Sequence, residues 1–313
     1  MLNRNTPYYH QVALLIAVLP LVAEETCFAL KGGTAINLFV RNMPRLSVDI
    51  DLTYLPLENR QTSLAAITMA LNHIAQRISK VLPNTTVDEL KDAQGNVLKL
   101  MVLRQGVKIK IEVSPVMRGS LLTPVTMDID PQVENQFSYA SMPVLDRHEL
   151  YAGKLCAALD RQHPRDLYDV NILLEHEGIT DALMNVFMVY LISGNRPIAE
   201  MLSPHPVSLA VAFNEQLSGM TVDGTNIQML EETRKTFIQQ INNKLTDNHK
   251  QFLLSFKAMQ PEWHLLDAGD VSHLPAVQWK LLNLKKMSAK KHKLAMDKLE
   301  AVLDAKQFNG ASG

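Results

Sequence analysis

The sequence is poor in cysteine, in net charge and in long apolar segments. Its only cysteines, Cys27 and Cys156, lie in apolar patterns, so we expect small core residues in a reducing compartment, without a disulfide or zinc framework. The formal net charge is −1 over 313 residues, which excludes a general attraction to nucleic acid. Because neither GxxxxGKS/T nor GxGxxG occurs, a P-loop and a Rossmann fingerprint are also excluded.

The most apolar run, Gln11 to Val22, raises the question of a membrane span or a signal peptide. This run is too short to cross a bilayer, contains Pro20, is followed by two glutamates and lacks a basic leader or a clear cleavage site. We therefore expect a buried helix packed on a sheet, in a cytoplasmic protein without a membrane partner.

A pair of glycines separates a short apolar strand from a helix. Residues 26–30 predict the strand, Gly32 and Gly33 the turn, and residues 34–40 the helix. The N–H groups of such a turn can bind phosphate oxygens, and the helix dipole favours the negative charge. Alone, however, a Gly-Gly pair is more typical of a simple turn.

Two aspartates follow on the next predicted strand. Residues 47–54 alternate, so Asp49 and Asp51 share one face of the strand, roughly 7 Å apart. Mg²⁺ prefers hard oxygen ligands and is commonly held by one or two carboxylates together with substrate phosphates. An exposed strand edge is the alternative for this motif alone, but its combination with the glycine turn predicts metal-assisted nucleotide chemistry.

A third acidic residue lies on a predicted hairpin. Residues 97–104 and 107–114 alternate on either side of Gln105-Gly106, which favours a tight turn. In the second strand, Glu112 shares a face with two lysines. Glu112 is therefore a candidate third metal ligand, or the base that deprotonates an attacking hydroxyl. The equally weighted alternative is a solvated Lys/Glu ladder on an edge strand.

A second group of charged residues lies in residues 145–174, which predict two helices. The first begins with a capping-box pattern and the second with a proline. Lys154 and Arg161 are seven residues apart on one face of the first helix, whereas Asp166 and Asp169 share a side of the second. Lys154 could neutralise charge on the transferred or leaving phosphate. The alternative is a surface helix pair with ordinary salt bridges.

The chain resembles the AbiEii/AbiGii-type nucleotidyltransferases in four segments, which in order are KGGTAINL, RLSVDIDL, KIEVSP and ELYAGKLCAALDRQHPRDLYDV. These are the toxin halves of abortive-infection (type IV) toxin–antitoxin pairs and include the MenT toxins. The resemblance implies transfer of a nucleoside monophosphate from an NTP, with Mg²⁺ as cofactor and Mn²⁺ as the alternative. It further implies the 3′ end of tRNA as the acceptor, a block of translation, a role in phage defence or stress, and a cognate antitoxin encoded nearby.

The resemblance also implies site residues in the first half of the chain. Gly32, Gly33 and Thr34 take the phosphate-binding position of the polymerase-β-like nucleotidyltransferase fold, with Thr where Ser is more usual. Asp49 and Asp51 are then the metal-binding pair, and Glu112 remains the candidate third ligand.

Further along, Lys154 matches the essential lysine of the family. Either Asp166 or Asp169 matches its C-terminal aspartate, which would orient the lysine or act as a base. The predicted nucleotide-binding arginines are Arg45, Arg161 and Arg165, the last of which opens an RDxxD pattern.

The predicted architecture is α+β. We place a nucleotidyltransferase domain, a mixed sheet with helices, at residues 1–143 and an α-helical domain at residues 144–313, with the active site in the cleft between them. The remaining predicted elements are strands at 26–31 and 85–91, a helix at 61–82, and helical runs at 179–193, 229–258 and 289–306.

Lysines accumulate near the C-terminus and form a local basic segment that suits an RNA backbone. They are Lys280, Lys285, Lys286, Lys290, Lys291, Lys293 and Lys298. We hypothesise that they contact tRNA, and a solvated helix face explains them equally well.

Two other functions stay open for the whole chain: nucleotidyl transfer to a protein or a small molecule such as an aminoglycoside, and non-catalytic nucleic-acid binding.

Overall fold

Alternating apolar residues produce a seven-stranded mixed sheet in the computed structural model, which describes residues 7–304. The strands are β1 (Phe28–Lys31), β2 (Asp49–Tyr54), β3 (Thr85–Lys91), β4 (Val97–Arg104), β5 (Val107–Val113), β6 (Val125–Asp128) and β7 (Ser141–Val144). Their order across the sheet is β3-β4-β5-β2-β1-β7-β6. β2 pairs in parallel with β5, and β1 with β7, whereas the other neighbouring strands are antiparallel. The first five strands confirm the prediction.

The predicted hairpin between β4 and β5 is confirmed. Gln105 and Gly106 both have positive φ, +51° and +80°, as a two-residue turn that follows the twist of the strands requires. The edge-strand alternatives are wrong, because β5 lies between β4 and β2, and β2 lies between β5 and β1. The two strands that carry the predicted acidic residues are therefore inner neighbours.

Five α-helices begin in the described part of the first half of the chain, and a short π-helix, Ile36–Val40, continues the second of them. The five are α1 (Pro7–Ala23), α2 (Gly32–Ala35), α3 (Arg60–Val81), α4 (Pro131–Glu134) and α5 (Arg147–Arg161). Helix α1 packs its buried leucine and valine side chains on β2, β5 and β7, which confirms the predicted buried helix. None of the described helices is long and apolar enough to cross a membrane.

Helices follow along the rest of the described chain. They are α6 (Pro164–His176), α7 (Asp181–Ser193), α8 (Ile198–Leu202), α9 (Ala210–Gln216), α10 (Ile227–Asn243), α11 (Asp247–Lys257), α12 (Pro275–Lys285) and α13 (Ala289–Asp304). The single run predicted at 229–258 is wrong, since Thr246 caps a new helix there in a capping box with His249. The last two residues of the run predicted at 289–306 lie outside the described residues.

The described residues form two compact units. Those up to Leu150, together with Gly219–Gly224, form the first, and Tyr151–Ser218 with those from Thr225 onward form the second. The predicted boundary between residues 143 and 144 stays a prediction. Cys27 and Cys156 are free and half-buried, one in each unit, and burial raises the pKa of both thiols.

Candidate active site

Asp51 lies directly against the glycine turn of the first unit. β1 ends at Lys31 and α2 begins at Gly32, whose φ of +74° favours glycine. A Cβ on residue 32 would come within 2.7 Å of Asp51 Oδ2. Any side chain at this position would have to displace the carboxylate, so the structure brings the predicted turn and this predicted metal ligand together.

Gly33, the second glycine of the turn, lies close against the side chain of Arg45. A Cβ at Gly33 would come within 2.7 Å of Arg45 Nη2 and 3.0 Å of Ser47 Oγ. Arg45 is buried, and its Nη1 donates to the carbonyl of Leu46 at 2.9 Å. The structure therefore places Arg45 at the turn, as one of the predicted arginines.

The Thr34 hydroxyl holds the turn to β2. It is buried, donates to the carbonyl oxygen of Asp49 and lies 3.0 Å from Ser47 Oγ. A hydroxyl carries one proton and a carbonyl can only accept, so Ser47 supplies the proton of the second bond. Because this hydroxyl is used within the unit, the backbone N–H groups at the start of α2 are the turn's phosphate-binding candidates.

Charges alternate across four strands beside this turn. Lys31 is in register with Asp51, Asp51 with Glu112, and Glu112 with Lys99. The Lys99 and Lys110 ammonium groups each lie 2.8 Å from a Glu112 oxygen. Burial opposes ionisation of Glu112, but these two lysines outweigh it and lower its pKa. The Lys/Glu ladder therefore exists, and the role of Glu112 as a third metal ligand stays a prediction.

Lys31 is a site residue that the sequence reasoning missed. Burial lowers its pKa, while the charges of Asp51 and Glu112 oppose that shift. The sequence did contain a signal for Lys31, because it ends an apolar strand immediately before the glycine turn. Lys31 therefore brings an amino group beside Asp51, whose charge favours the protonated form of the lysine.

The aspartate pair suits one Mg²⁺. Burial raises the pKa of Asp51, and repulsion by Asp49 and Glu112 adds to this effect, while Lys31 and Lys110 oppose it. A divalent cation would relieve that repulsion, and two carboxylates with substrate phosphates are a usual ligand set for Mg²⁺. Among the described residues, no group of three or more His, Cys, Asp or Glu is arranged to hold a metal ion.

In the second unit, Lys154 lies between two aspartates. Its Nζ is 2.8 Å from Asp166 Oδ1 and 2.9 Å from Asp169 Oδ2, and the three side chains are only 6%, 1% and 1% exposed. The surface helix pair is therefore wrong as an alternative. A buried charge without its partner is costly, so each of these side chains depends on the others.

Arg161 completes this cluster from its exposed side. Its Nε and Nη2 lie 2.5 Å and 3.0 Å from the two oxygens of Asp166, in a bidentate arrangement. Burial opposes ionisation of Asp166, but Lys154 and Arg161 outweigh it and hold its pKa well below the ordinary value. A carboxylate with such a low pKa is a poor base, so the geometry favours orientation of Lys154 as its role.

His163 is a second residue that the sequence reasoning missed. Its Nδ1 accepts from the backbone N–H of Arg165 at 3.1 Å, which caps α6, and its Nε2 lies 3.0 Å from Gln216 Oε1. Nδ1 accepts, so the proton of the neutral ring is on Nε2. Burial is the main cause of its lowered pKa. A histidine directly before Pro-Arg-Asp was the signal for this cap.

The predicted site residues thus fall into two groups, one in each unit. The first unit holds Gly32, Gly33, Thr34, Arg45, Asp49, Asp51 and Glu112, and the second holds Lys154, Arg161, Arg165, Asp166 and Asp169. The predicted cleft between domains stays a prediction.

The C-terminal lysines divide into one structural lysine and six exposed ones. Lys280 donates to the carbonyls of Gly194, Asn195 and Arg196 at the end of α7, and burial lowers its pKa to about 8. Its inclusion in the basic surface was wrong. The exposed lysines are Lys285, Lys286, Lys290, Lys291, Lys293 and Lys298.

A family model described as "Nucleotidyl transferase AbiEii toxin, Type IV TA system" matches residues 13–283. The chain belongs to the AbiEii family. This match confirms the resemblance seen in the glycine, aspartate and lysine segments, and with it the class of nucleotidyltransferase toxins of toxin–antitoxin systems. No curated protein matches the chain.

Two solved structures are similar to this AbiEii-family chain. The nucleotidyltransferase toxin MenT4 from Mycobacterium tuberculosis H37Rv is 15% identical, over 89% of this chain and 93% of that chain, with a TM-score of 0.61. This likeness confirms the α+β nucleotidyltransferase fold. The terminal uridylyl transferase 4 from Trypanosoma brucei, with bound dUTP, is 12% identical over 96% of this chain and 93% of that chain, with a TM-score of only 0.29.

Proposed function

We propose that this AbiEii-family toxin is a Mg²⁺-dependent enzyme that transfers a nucleoside monophosphate from an NTP to the 3′ end of tRNA. The acceptor hydroxyl gives its proton to water and its oxygen bonds to the α-phosphorus, while the bond from the α-phosphorus to the bridging oxygen breaks and pyrophosphate leaves. The contact of the Asp51 carboxylate with Gly32 supports this proposal most directly.

In the first unit, the residues around the turn would bind the nucleotide. The N–H groups at the start of α2 would receive phosphate oxygens, and the buried Arg45 fixes the turn from beneath. Asp49 and Asp51 would hold Mg²⁺, which when bound supplies positive charge to the phosphates and favours ionisation of the acceptor hydroxyl. The Thr34 bond to the Asp49 carbonyl keeps the turn and the aspartates in register.

In the second unit, Lys154 would neutralise negative charge on the triphosphate. Asp166 and Asp169 hold its ammonium in place, and Arg161 fixes Asp166. This arrangement limits the number of positions the lysine can adopt, which is how fixed charges stabilise a transition state efficiently. Both aspartates contact the lysine, so both are proposed as positioning residues.

The proposed biological setting follows from the family. Modification of the tRNA 3′ end would block aminoacylation and therefore translation, and a cognate antitoxin would hold the activity in check. The six exposed C-terminal lysines are the proposed contact for the tRNA backbone.

The deciding experiment gives the purified protein each of the four α-³²P NTPs with bulk tRNA and Mg²⁺. We expect label in tRNA, and none with Asp51→Ala or Lys154→Ala when these variants stay folded. Lys108→Ala, which changes an exposed lysine of β5, is the matched control and should keep the activity. Label in lysate protein or in an aminoglycoside would replace tRNA as the acceptor, and no label with any NTP would contradict the proposal.

A further inference from the structure

Arg118 is a buried arginine in which two of the three guanidinium nitrogens have no hydrogen-bond partner among the described residues. It lies in the segment between β5 and β6 and is only 7% exposed. In the described part of the chain, its Nε and Nη1 atoms are buried and have no hydrogen-bond partner. A buried guanidinium normally forms charge-assisted hydrogen bonds, because its desolvation is otherwise uncompensated. The described residues supply no acceptor to these two nitrogens, so they could donate to an anion from outside the chain.

A second arginine lies on the same segment. Arg60, the first residue of α3, donates from Nη1 to the carbonyl of Pro115 at 3.3 Å, and the N–H of Gly119 donates to the carbonyl of Tyr54 at 2.8 Å. These two bonds hold the segment that carries Arg118 between the end of β2 and the start of α3. Arg60 is exposed, so solvent reaches this place from the side of α3.

Among the described residues, Glu58 is the carboxylate that acts on Arg118, and Asp92 interacts with Arg60. Glu58 accepts from the Tyr54 hydroxyl at 2.9 Å, and burial and this carboxylate raise the pKa of Tyr54 to about 12. The pKa of Arg118 is lowered by burial and by repulsion from Arg60, while Tyr54 and Glu58 oppose this shift. At Arg118 itself, repulsion from Arg60 is a larger effect than the attraction of Glu58, so its guanidinium charge is not balanced by that carboxylate.

This place is separate from the candidate active site. Side chains alternate along a strand, so Tyr54 lies on the opposite face of β2 from Asp49 and Asp51. The free nitrogens of Arg118 are therefore not additional ligands for the nucleotide that we place at the glycine turn.

We propose that Arg118 and Arg60 form a second anion-binding site, whose ligand is a phosphate group. Two nitrogens of Arg118 and the guanidinium of Arg60 present more donors than the two oxygens of a carboxylate can accept. A phosphate offers at least two charged oxygens and further acceptors in a tetrahedral arrangement, which suits donors from more than one direction.

The test titrates inorganic phosphate into the full-length protein at constant ionic strength and records binding and thermal stability. Arg118→Met should weaken phosphate binding about tenfold or more, since a charge-assisted bond is lost. It should also raise the melting temperature without phosphate, because an unpaired buried charge is removed. Arg104→Met is the matched control, as Arg104 Nε is likewise buried and unpartnered among the described residues, and its phosphate affinity should match wild type.

The proposed site would be wrong if Arg118→Met lowered the melting temperature and kept full phosphate binding. If that variant does not fold, the exposed Arg60→Met and the charge-retaining Arg118→Lys carry the test, and both should weaken phosphate binding. Asp51→Ala changes the candidate active site, so it should keep the phosphate binding that is lost in Arg118→Met. Phosphate binding at Arg118 can therefore be tested independently of the proposed transferase activity.

A second titration identifies the source of the phosphate. Single-stranded RNA is bound by wild type and by Arg118→Met across a range of salt concentrations. If an RNA phosphodiester occupies the site, the variant should show weaker binding and a salt slope smaller by about one. If RNA binding is unchanged while binding of inorganic phosphate is lost, the ligand is a free phosphate.

Discussion

Asp51 and Glu112 are direct neighbours in register on two parallel strands, although a helix and two further strands separate them in the chain. This relationship brings a third carboxylate to the aspartate pair, but two lysines already hold it. The two facts lead to opposite expectations for Glu112 as a metal ligand, and the ion pairs at 2.8 Å favour a structural role.

Glu112→Gln should therefore change Mg²⁺ dependence little. We expect a loss of transfer rate below about tenfold, that is, below about 1.4 kcal/mol of transition-state stabilisation, with unchanged half-saturation by Mg²⁺. Asp49→Asn should raise the Mg²⁺ half-saturation instead. A Mg²⁺ titration of label transfer separates the two variants, and equal shifts in both would restore Glu112 as a ligand.

Gly32→Ala should abolish transfer as well as strain the backbone. Its φ of +74° costs about 1–3 kcal/mol for a side chain, and the new Cβ would meet Asp51 Oδ2. Gly95→Ala is the matched control, since Gly95 has φ of +87° and no atom within 4 Å of a Cβ. Urea unfolding should show similar losses for both, while label transfer is lost only at position 32; retained transfer in both would contradict the contact argument.

The loss in free energy of unfolding caused by Asp166→Asn should depend on pH. The folded pKa of Asp166 is depressed, so its contribution is complete above the unfolded pKa of about 4 and is lost as pH falls towards the folded value. The difference in free energy of unfolding should therefore be large at pH 7 and smaller at pH 3, by urea unfolding. Asp160→Asn, at an exposed position of α5, is the control and should change the free energy of unfolding little at either pH. If the loss caused by Asp166→Asn were the same at pH 7 and pH 3, the depressed pKa of Asp166 would be refuted.

His163→Ala should lower stability without removing activity. Loss of the cap at α6 typically costs about 1 kcal/mol, and His163→Asn should restore most of it because asparagine also caps helices. Melting temperature and label transfer are measured side by side. Complete loss of transfer in a stable His163→Ala protein would show a chemical role that the geometry does not indicate.

Replacement of Lys290, Lys291 and Lys293 by Met should weaken tRNA binding and lower its salt slope by up to about three. Lys280→Met should instead lower the melting temperature, because three carbonyls at the end of α7 lose their donor. Filter binding over a salt series gives the slopes. An unchanged slope in the triple variant would remove this surface from the RNA interface.

Local pattern predicted much of the fold. The alternation in 47–54 and the Gln105-Gly106 turn are local signals, and both match the structure closely. The four-residue strands β6 and β7 were not predicted, because short segments carry little periodicity and Pro143 is unusual in a strand. The pairing of β2 with β5 is also non-local, and alternation does not report which strands become neighbours.

The candidate site was predictable to a similar degree. The glycine turn, the aspartate pair and Lys154 stand out by residue type and spacing. Burial of Lys154 and its pairing with two aspartates depend on α6, and the charge of Lys31 matters only because β1 pairs with β2. Arg118 gave no signal at all, since its orphaned nitrogens result from how the segment after β5 is held.

Lys31 also bears on whether this toxin must bind its metal ion before it folds. Because Lys31 is already in register with Asp51 across the strand pair and opposes the rise of its pKa, the newly synthesised chain would not need to capture an ion before its sheet assembles. Chelation should accordingly switch the chemistry off while leaving the architecture intact, and re-addition of magnesium should restore turnover without a refolding step.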